Sequence, residues 1–224
     1  MTLKELRSGV LVFLHEPEPG SEFTRLMINQ WLNEAQHLLV RDTYCIQKTA
    51  EMPTVDGTER YQLPCDFLKI EQCAIGDDLI FPMHFGETMA PAYDDSGNLP
   101  LTGQPDKYYL FENAIGFRPI PDAVYSVLMR YRATPATLSG DTDVPDIPAR
   151  HHHVLGWYAQ WMGALKREDG RSAQAFERLW YQGLAGVKQE TTFPGFDEPA
   201  QPRDLYFGQM GDPQPVTWRQ VLGL

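Results

Sequence analysis

Cysteine is scarce: Cys45, Cys65 and Cys73 are the only three in 224 residues, and no pair has C-x-x-C spacing. That excludes a disulfide framework and a zinc knuckle. A free cysteine usually behaves as a small buried hydrophobe, so three inert thiols are expected. Long apolar runs are missing as well. The longest, Val10 to Leu14, is broken by His15 and Glu16, well short of the ~18 residues that a membrane-spanning helix needs. Residues 1–7 are a charged amphipathic stretch without an apolar h-region or a small-residue cleavage site, so folding in a reducing cytoplasm, without a membrane partner, is expected. Positive charge is in deficit. With 19 Lys and Arg against 30 Asp and Glu, the formal charge is -11, and a surface of that sign repels phosphate. Groove-reading DNA binders and anionic-membrane binders are therefore disfavoured.

What remains is enough chain for a real core, with 42% hydrophobic and 12% aromatic residues. Thr2 and Glu5 are spaced as a capping box ahead of Leu3, Leu6, Val10, Phe13 and Leu14, which predicts a helix over 3–15. After Pro17, Pro19 and Gly20, Ser21 can cap a helix over 22–43 whose apolar stripe is Ile28, Trp31, Leu32, Ala35, Leu38 and Leu39. The period changes beyond Tyr44. Turn signals at Asp56-Gly57 and Gly76-Asp77-Asp78, and alternation from Val124 to Arg132, predict an antiparallel β region over 55–132 that includes a Gly/Pro-rich loop at 86–106. Helical spacing returns at 148–168 and, with Ser172 as cap, at 172–190. Gly156, Gly163, Gly183 and Gly186 each cost a helix about 1 kcal/mol relative to Ala, so they mark either close helix packing or contact with a neighbouring subunit.

The fold class expected is α+β: a helical bundle of N-terminal helices and a C-terminal helical hairpin, a central antiparallel β region, and an extended C-terminal arm. Residues 1–192 form one domain and 193–224 the arm. Prolines and glycines there forbid regular structure, yet Phe193, Phe196, Leu205, Tyr206, Phe207, Trp218, Val221 and Leu222 are interleaved among them. An ordinary disordered tail lacks such side chains, so these eight are the candidate partner-interface residues. Fully extended, 193–224 reaches on the order of 100 Å.

Chemistry is harder to find. His151, His152 and His153 are consecutive, so on a helix they point about 100° apart and cannot close on one metal ion. Asp77-Asp78 and Asp94-Asp95 sit in turn contexts that explain them. A hydrolase built on Asp94 or Asp95 has no visible activating partner, and neither a G-x-S-x-G elbow nor a P-loop occurs. No catalytic residue, metal or cofactor is assigned. Tyr44, Tyr61, Tyr108, Tyr109, Tyr125 and Tyr131 could make a stacking platform, although strands use tyrosine for ordinary packing. Arg130-Tyr131-Arg132 is too short a basic cluster to outweigh the acidic balance.

A series of short motifs adds a resemblance. In order they are Ile28 to Gln36 (I-N-Q-W-L-N-E-A-Q), Val55-Asp56-Gly57-Thr58, Tyr61 to Ile70 (Y-Q-L-P-C-D-F-L-K-I), Gly103-Gln104-Pro105, Pro119-Ile120-Pro121-Asp122, and Asp141 to Pro148 (D-T-D-V-P-D-I-P). Together, over about residues 20 to 190, they resemble the head-to-tail adaptor (connector, or head-completion) proteins of tailed bacteriophages. The resemblance implies a structural virion protein and not an enzyme: a homo-oligomeric ring, usually of twelve copies, docked below the portal protein at the head–tail neck. Tail or stopper proteins attach beneath it, duplex DNA passes through without tight binding, and assembly takes place in the bacterial host cytoplasm. The runner-up is a carbohydrate- or receptor-binding module of a tail structure, resting on the tyrosine-rich strands.

Overall fold

Thr2 opens the first helix by a reciprocal cap. Its hydroxyl accepts the Glu5 N–H at 3.3 Å, and the Glu5 carboxylate accepts the Thr2 N–H at 2.9 Å, so two otherwise orphaned donors are satisfied. In this computed structural model, which describes residues 1–16, 22–83 and 101–191, helix α1 spans Leu3–Phe13 and buries Leu3, Leu6, Val10 and Leu11. Helix α2 spans Arg25–Thr43. It starts three residues later than the spacing predicts, because Thr24 is the cap and accepts the Met27 N–H at 3.2 Å; Ser21 lies outside the described residues. Tyr44 ends α2 in the left-handed region at φ 51°, a conformation few residues other than glycine adopt.

Seven strands follow: β1 Gln47–Pro53, β2 Arg60–Gln62, β3 Phe67–Ile75, β4 Asp78–Pro82, β5 Lys107–Phe111, β6 Ala114–Arg118 and β7 Ser126–Ala133. They form one sheet in the order β1-β7-β3-β4-β5-β6-β2. The expected antiparallel region over 55–132 needs two corrections. The sheet begins earlier, at Gln47, with a strand rich in residues that strands usually avoid. Pairing makes it a strand: Lys48, Ala50 and Met52 lie opposite Tyr131, Met129 and Val127, and such context outweighs intrinsic propensity. The sheet is also mixed, since β4 and β5 run parallel, with Phe81 opposite Lys107. Parallel neighbours need a long crossover, which 83–106 is long enough to supply. Glu112 and Asn113 both have positive φ in the β5–β6 turn, as a two-residue type I′ hairpin requires.

Between the sheet and the last two helices, residues 134–148 form an irregular strap tied down by side chains. The Asn33 amide donates to the Leu138 carbonyl at 2.9 Å and accepts the Leu138 N–H at 2.7 Å. Gln36 donates to the Ala136 carbonyl at 2.8 Å. Buried Arg7 reaches Asp141 at 2.7 Å and Asn29 at 3.3 Å. Within the strap, Asp143 accepts the N–H groups of Ser139 and Gly140, both at 2.8 Å, and those bonds hold its carboxyl below the usual range. A single 3₁₀ turn, Ala149–His151, leads into α3, His152–Lys166, and α4 spans Gly170–Thr191. Asp169, rather than the expected Ser172, supplies the cap of α4, accepting the Ser172 N–H at 3.2 Å. Helix α3 touches α1, α2 and α4. One continuous core joins helices and sheet, from Leu3 and Leu32 to Ile115, Phe117, Val127 and Leu155. The fold is therefore mixed α+β, with four helices and a seven-stranded sheet among the described residues, where no helix is long and apolar enough to cross a membrane.

Gly156, Gly163, Gly183 and Gly186 divide. A Cβ on Gly183 would lie 2.7 Å from Val154 Cγ1, and one on Gly163 would lie 2.7 Å from Leu14 Cδ2, whereas Gly156 and Gly186 have nothing within 4 Å. Close packing thus accounts for two of them. Valine is stiff at χ1, so Gly183→Ala is expected to lower stability by about 1–3 kcal/mol, and Gly186→Ala to raise it by up to about 1 kcal/mol; denaturant titration of both variants checks the opposite signs.

His152 offers a second check. Its ring is buried, and Nε2 donates to the Ile147 carbonyl at 2.9 Å. Burial pushes its pKa below the ordinary histidine value, against the raising effect of that bond. The folded state therefore binds this proton less readily than the unfolded chain, and stability is lost as pH falls below the unfolded value of about 6.5. Thermal unfolding from about pH 7.5 to about pH 5.5 is expected to show a falling midpoint in the native chain and a flatter one in His152→Gln.

Candidate interaction surfaces

The eight arm residues Phe193, Phe196, Leu205, Tyr206, Phe207, Trp218, Val221 and Leu222 lie outside the described residues, as do Asp94 and Asp95. The other sequence candidates can be placed. The three consecutive histidines enter three environments. Nε2 of His151 lies 3.0 Å from Glu190, His152 is in the core, and His153 is exposed, edge-on to Trp157 at 4.7 Å between ring centres. His151, Arg150 and Glu190 border a groove between α3 and α4, floored by Gly183 and Gly186 with Trp157 alongside. The His151 and Arg150 contacts hold the Glu190 carboxyl below its usual range. Among the described residues no group of three or more His, Cys, Asp or Glu is placed to hold a metal ion.

The tyrosines do not assemble into a platform. Tyr108 and Tyr131 point into the core, the latter stacked on Phe67 and donating to Asp66 at 3.0 Å. Tyr61 braces the Val55–Thr58 turn, donating to the Thr58 carbonyl at 2.8 Å, and Tyr125 donates to Asp122 at 2.7 Å. Tyr109 lies flat over Gly116, where a Cβ would come within 2.2 Å of the ring. Its hydroxyl bonds Glu59, which also pairs with Arg118 at 2.9 Å. The cysteines are all free. Burial pushes Cys73 up to about 12 and raises Cys45, but Cys65 is exposed, so the burial that predicts inertness does not extend to it.

Among the described residues, three exposed surfaces combine several apolar or like-charged side chains. At one end of the helices Val12, Phe13 and Leu26 are 69%, 61% and 68% exposed, and Phe13 meets Phe176 edge-on at 6.1 Å. Arg167 secures that end through the Leu14 carbonyl, Glu16 and Glu22, with its guanidinium 4.8 Å from the Phe23 ring. The second surface is the outward side of α4, which presents Arg171, Arg178, Tyr181 and Lys188. The third is the outward face of the sheet, where register brings Leu79 of β4 beside Ala74 of β3 and Ala74 beside Leu128 of β7, with Phe81 two residues along β4. Such surfaces can dock a partner; they hold no nucleophile with an activating base.

The outward side of α4 is not among the candidate residues that apolar spacing picks out, because its exposed positions are polar and charged. Its signal was present: cations at helical spacing with glutamine and alanine between them. The sheet face had no comparable signal, because which strands adjoin depends on the non-local order β7-β3-β4-β5. In comparison with known proteins, a family model described as SU10 adaptor protein matches residues 1–203. No curated protein matches the chain.

Proposed function

Because the chain belongs to the SU10 adaptor protein family, we propose that it is a structural protein of a tailed-phage virion, a head-to-tail adaptor that forms a ring below the portal. In that role it joins the portal to tail or stopper proteins and surrounds the channel by which duplex DNA leaves the head. The family match over residues 1–203 carries the reading. Two physical features support it. A ring needs heterologous contacts between unlike faces, and the chain has unlike faces to offer: an apolar helix end, a cationic helix side and a mixed sheet face. A channel through which a duplex slides must not grip phosphates, since each neutralised phosphate adds affinity through counterion release. A net charge of -11 per copy suits passage better than grip.

The ring has twelve copies in this proposal, each with its helices as a bundle and residues 193–224 as the extended arm that reaches the portal or a neighbouring copy. Three or four arm rings fully buried, at ~1.5–3 kcal/mol each, contribute several kcal/mol before ordering costs. Electron microscopy of the full chain mixed with its cognate portal is expected to show an added annular layer. A chain ending at Thr191 is expected to keep its helical circular dichroism and to lose that layer. Unchanged attachment of the shortened chain would remove the role given to the arm, and failure of the full chain to add a layer would remove the adaptor assignment itself.

A further inference from the structure

The exposed side chains of α4 have an unusual composition for so acidic a protein. From Arg171 to Gln189 every exposed position is Arg, Lys, Gln, Ala or Tyr; Glu177 is half-buried, and exposed Glu190 at the end of the helix is already paired with Arg150 and His151. At 1.5 Å rise per residue, Arg171, Arg178 and Lys188 stand about 10 Å and about 15 Å apart along one side of the helix. Arg171 has Asp169 nearby, whereas Arg178 and Lys188 have no ion-pair partner among the described residues. Tyr181 lies between them, 57% exposed, its inner edge 6.4 Å from Trp161 between ring centres.

A surface of complementary character sits on the sheet. The β3–β4 turn exposes Asp77 and Asp78. Because β4 and β5 run parallel, Asp106 comes to the same region, and Gln104 reaches Asp78 at 3.4 Å. Lys107 follows beside them. Next to these carboxylates Leu79 and Phe81 are 47% and 61% exposed. An apolar centre with a charged margin is the pattern of a protein interface, and two large apolar side chains have no use against a phosphate backbone.

We propose that the outward side of α4 in one copy seats on this β4 corner of the next copy, a head-to-tail contact between oppositely charged, unlike faces. The inference rests on the homo-oligomeric ring proposed above and names the surfaces that close it. Pairing α4 with α4 would set cation against cation, and corner with corner would set carboxylate against carboxylate. Only the heterologous arrangement brings opposite charges together, and that is the arrangement from which rings grow.

A charge exchange in the full chain tests it, read by the annular layer on the portal and by mass in light scattering. Arg171→Glu, Arg178→Glu and Lys188→Glu together are expected to weaken ring assembly at least about tenfold, as are Asp77→Lys, Asp78→Lys and Asp106→Lys together. Combining both sets in one chain is expected to restore assembly, an outcome that misfolding cannot produce; circular dichroism follows the fold of each variant. Rings that form unchanged with either set, or that the combined chain fails to restore, overturn the pairing while leaving the adaptor assignment standing. Intact rings that lose only salt-sensitive retention of a random-sequence duplex overturn it too, and assign the α4 cations to DNA. A native chain that adds no layer to the portal counts against the adaptor assignment instead.

Discussion

The backbone of residues 134–148 belongs to neither helix nor sheet, and the arrangement of the whole molecule depends on how its polar groups are met. A buried peptide group without a partner costs about 1–3 kcal/mol, so an irregular strap across a core survives only where side chains bond it. Asn33 answers both backbone groups of Leu138, Gln36 answers Ala136, and the Leu3 N–H donates to the Asp143 carbonyl at 2.8 Å. Buried Arg7 is neutralised by Asp141 on the strap itself, whose own side chain is half exposed. Removing Asp141 leaves the buried Arg7 guanidinium without its counter-charge. These bonds join α1 and α2 to the chain that leaves the sheet at Ala133 and enters α3 at His152.

The candidate surfaces inherit their positions from that frame. Helix α3, reached through the strap, carries α4 against its side through Tyr158 on Trp180 at 5.0 Å and Val154 on Gly183. On the sheet, β7 lies between β1 and β3 and fixes which residues face outward: Val127, Met129 and Tyr131 fill the core, while Leu128 and Arg130 are exposed. The family match places this frame among the SU10 adaptor proteins, and the described residues offer exposed apolar and cationic surfaces to a partner.

Local signals were the legible part of the sequence. The Thr2 and Glu5 cap, β3 at Phe67–Ile75 and the turn at Gly76 rest on neighbours within a few residues and can be read from spacing. Strand β1 and the parallel β4–β5 pair rest on partners far along the chain, and nothing in Gln47–Pro53 itself announces a strand. The motifs that carried the resemblance prove to be joints of the fold. Gly57 donates to Pro121 at 2.9 Å, Gly103 donates to Ile120 at 2.9 Å, and Asp66 gathers Lys48, Tyr131 and Thr134 at 2.7, 3.0 and 2.7 Å. Each sits where two segments distant in sequence must meet at a fixed angle, which is why their order along the chain is informative although each is weak alone. Of the candidate site, residues 193–224 lie outside the described residues, and the cations of α4 stand at helical spacing in the sequence itself.

A last consequence follows from the strap. A ring closes only when successive copies turn by a constant amount, and a contact that joins a helix to a sheet takes that amount from the internal angle between the two. Asn33, Gln36 and Arg7 hold that angle from inside the molecule. In the ring proposed above, side chains that lie largely inside each copy would thereby set whether a growing chain of copies meets its own beginning or spirals past it.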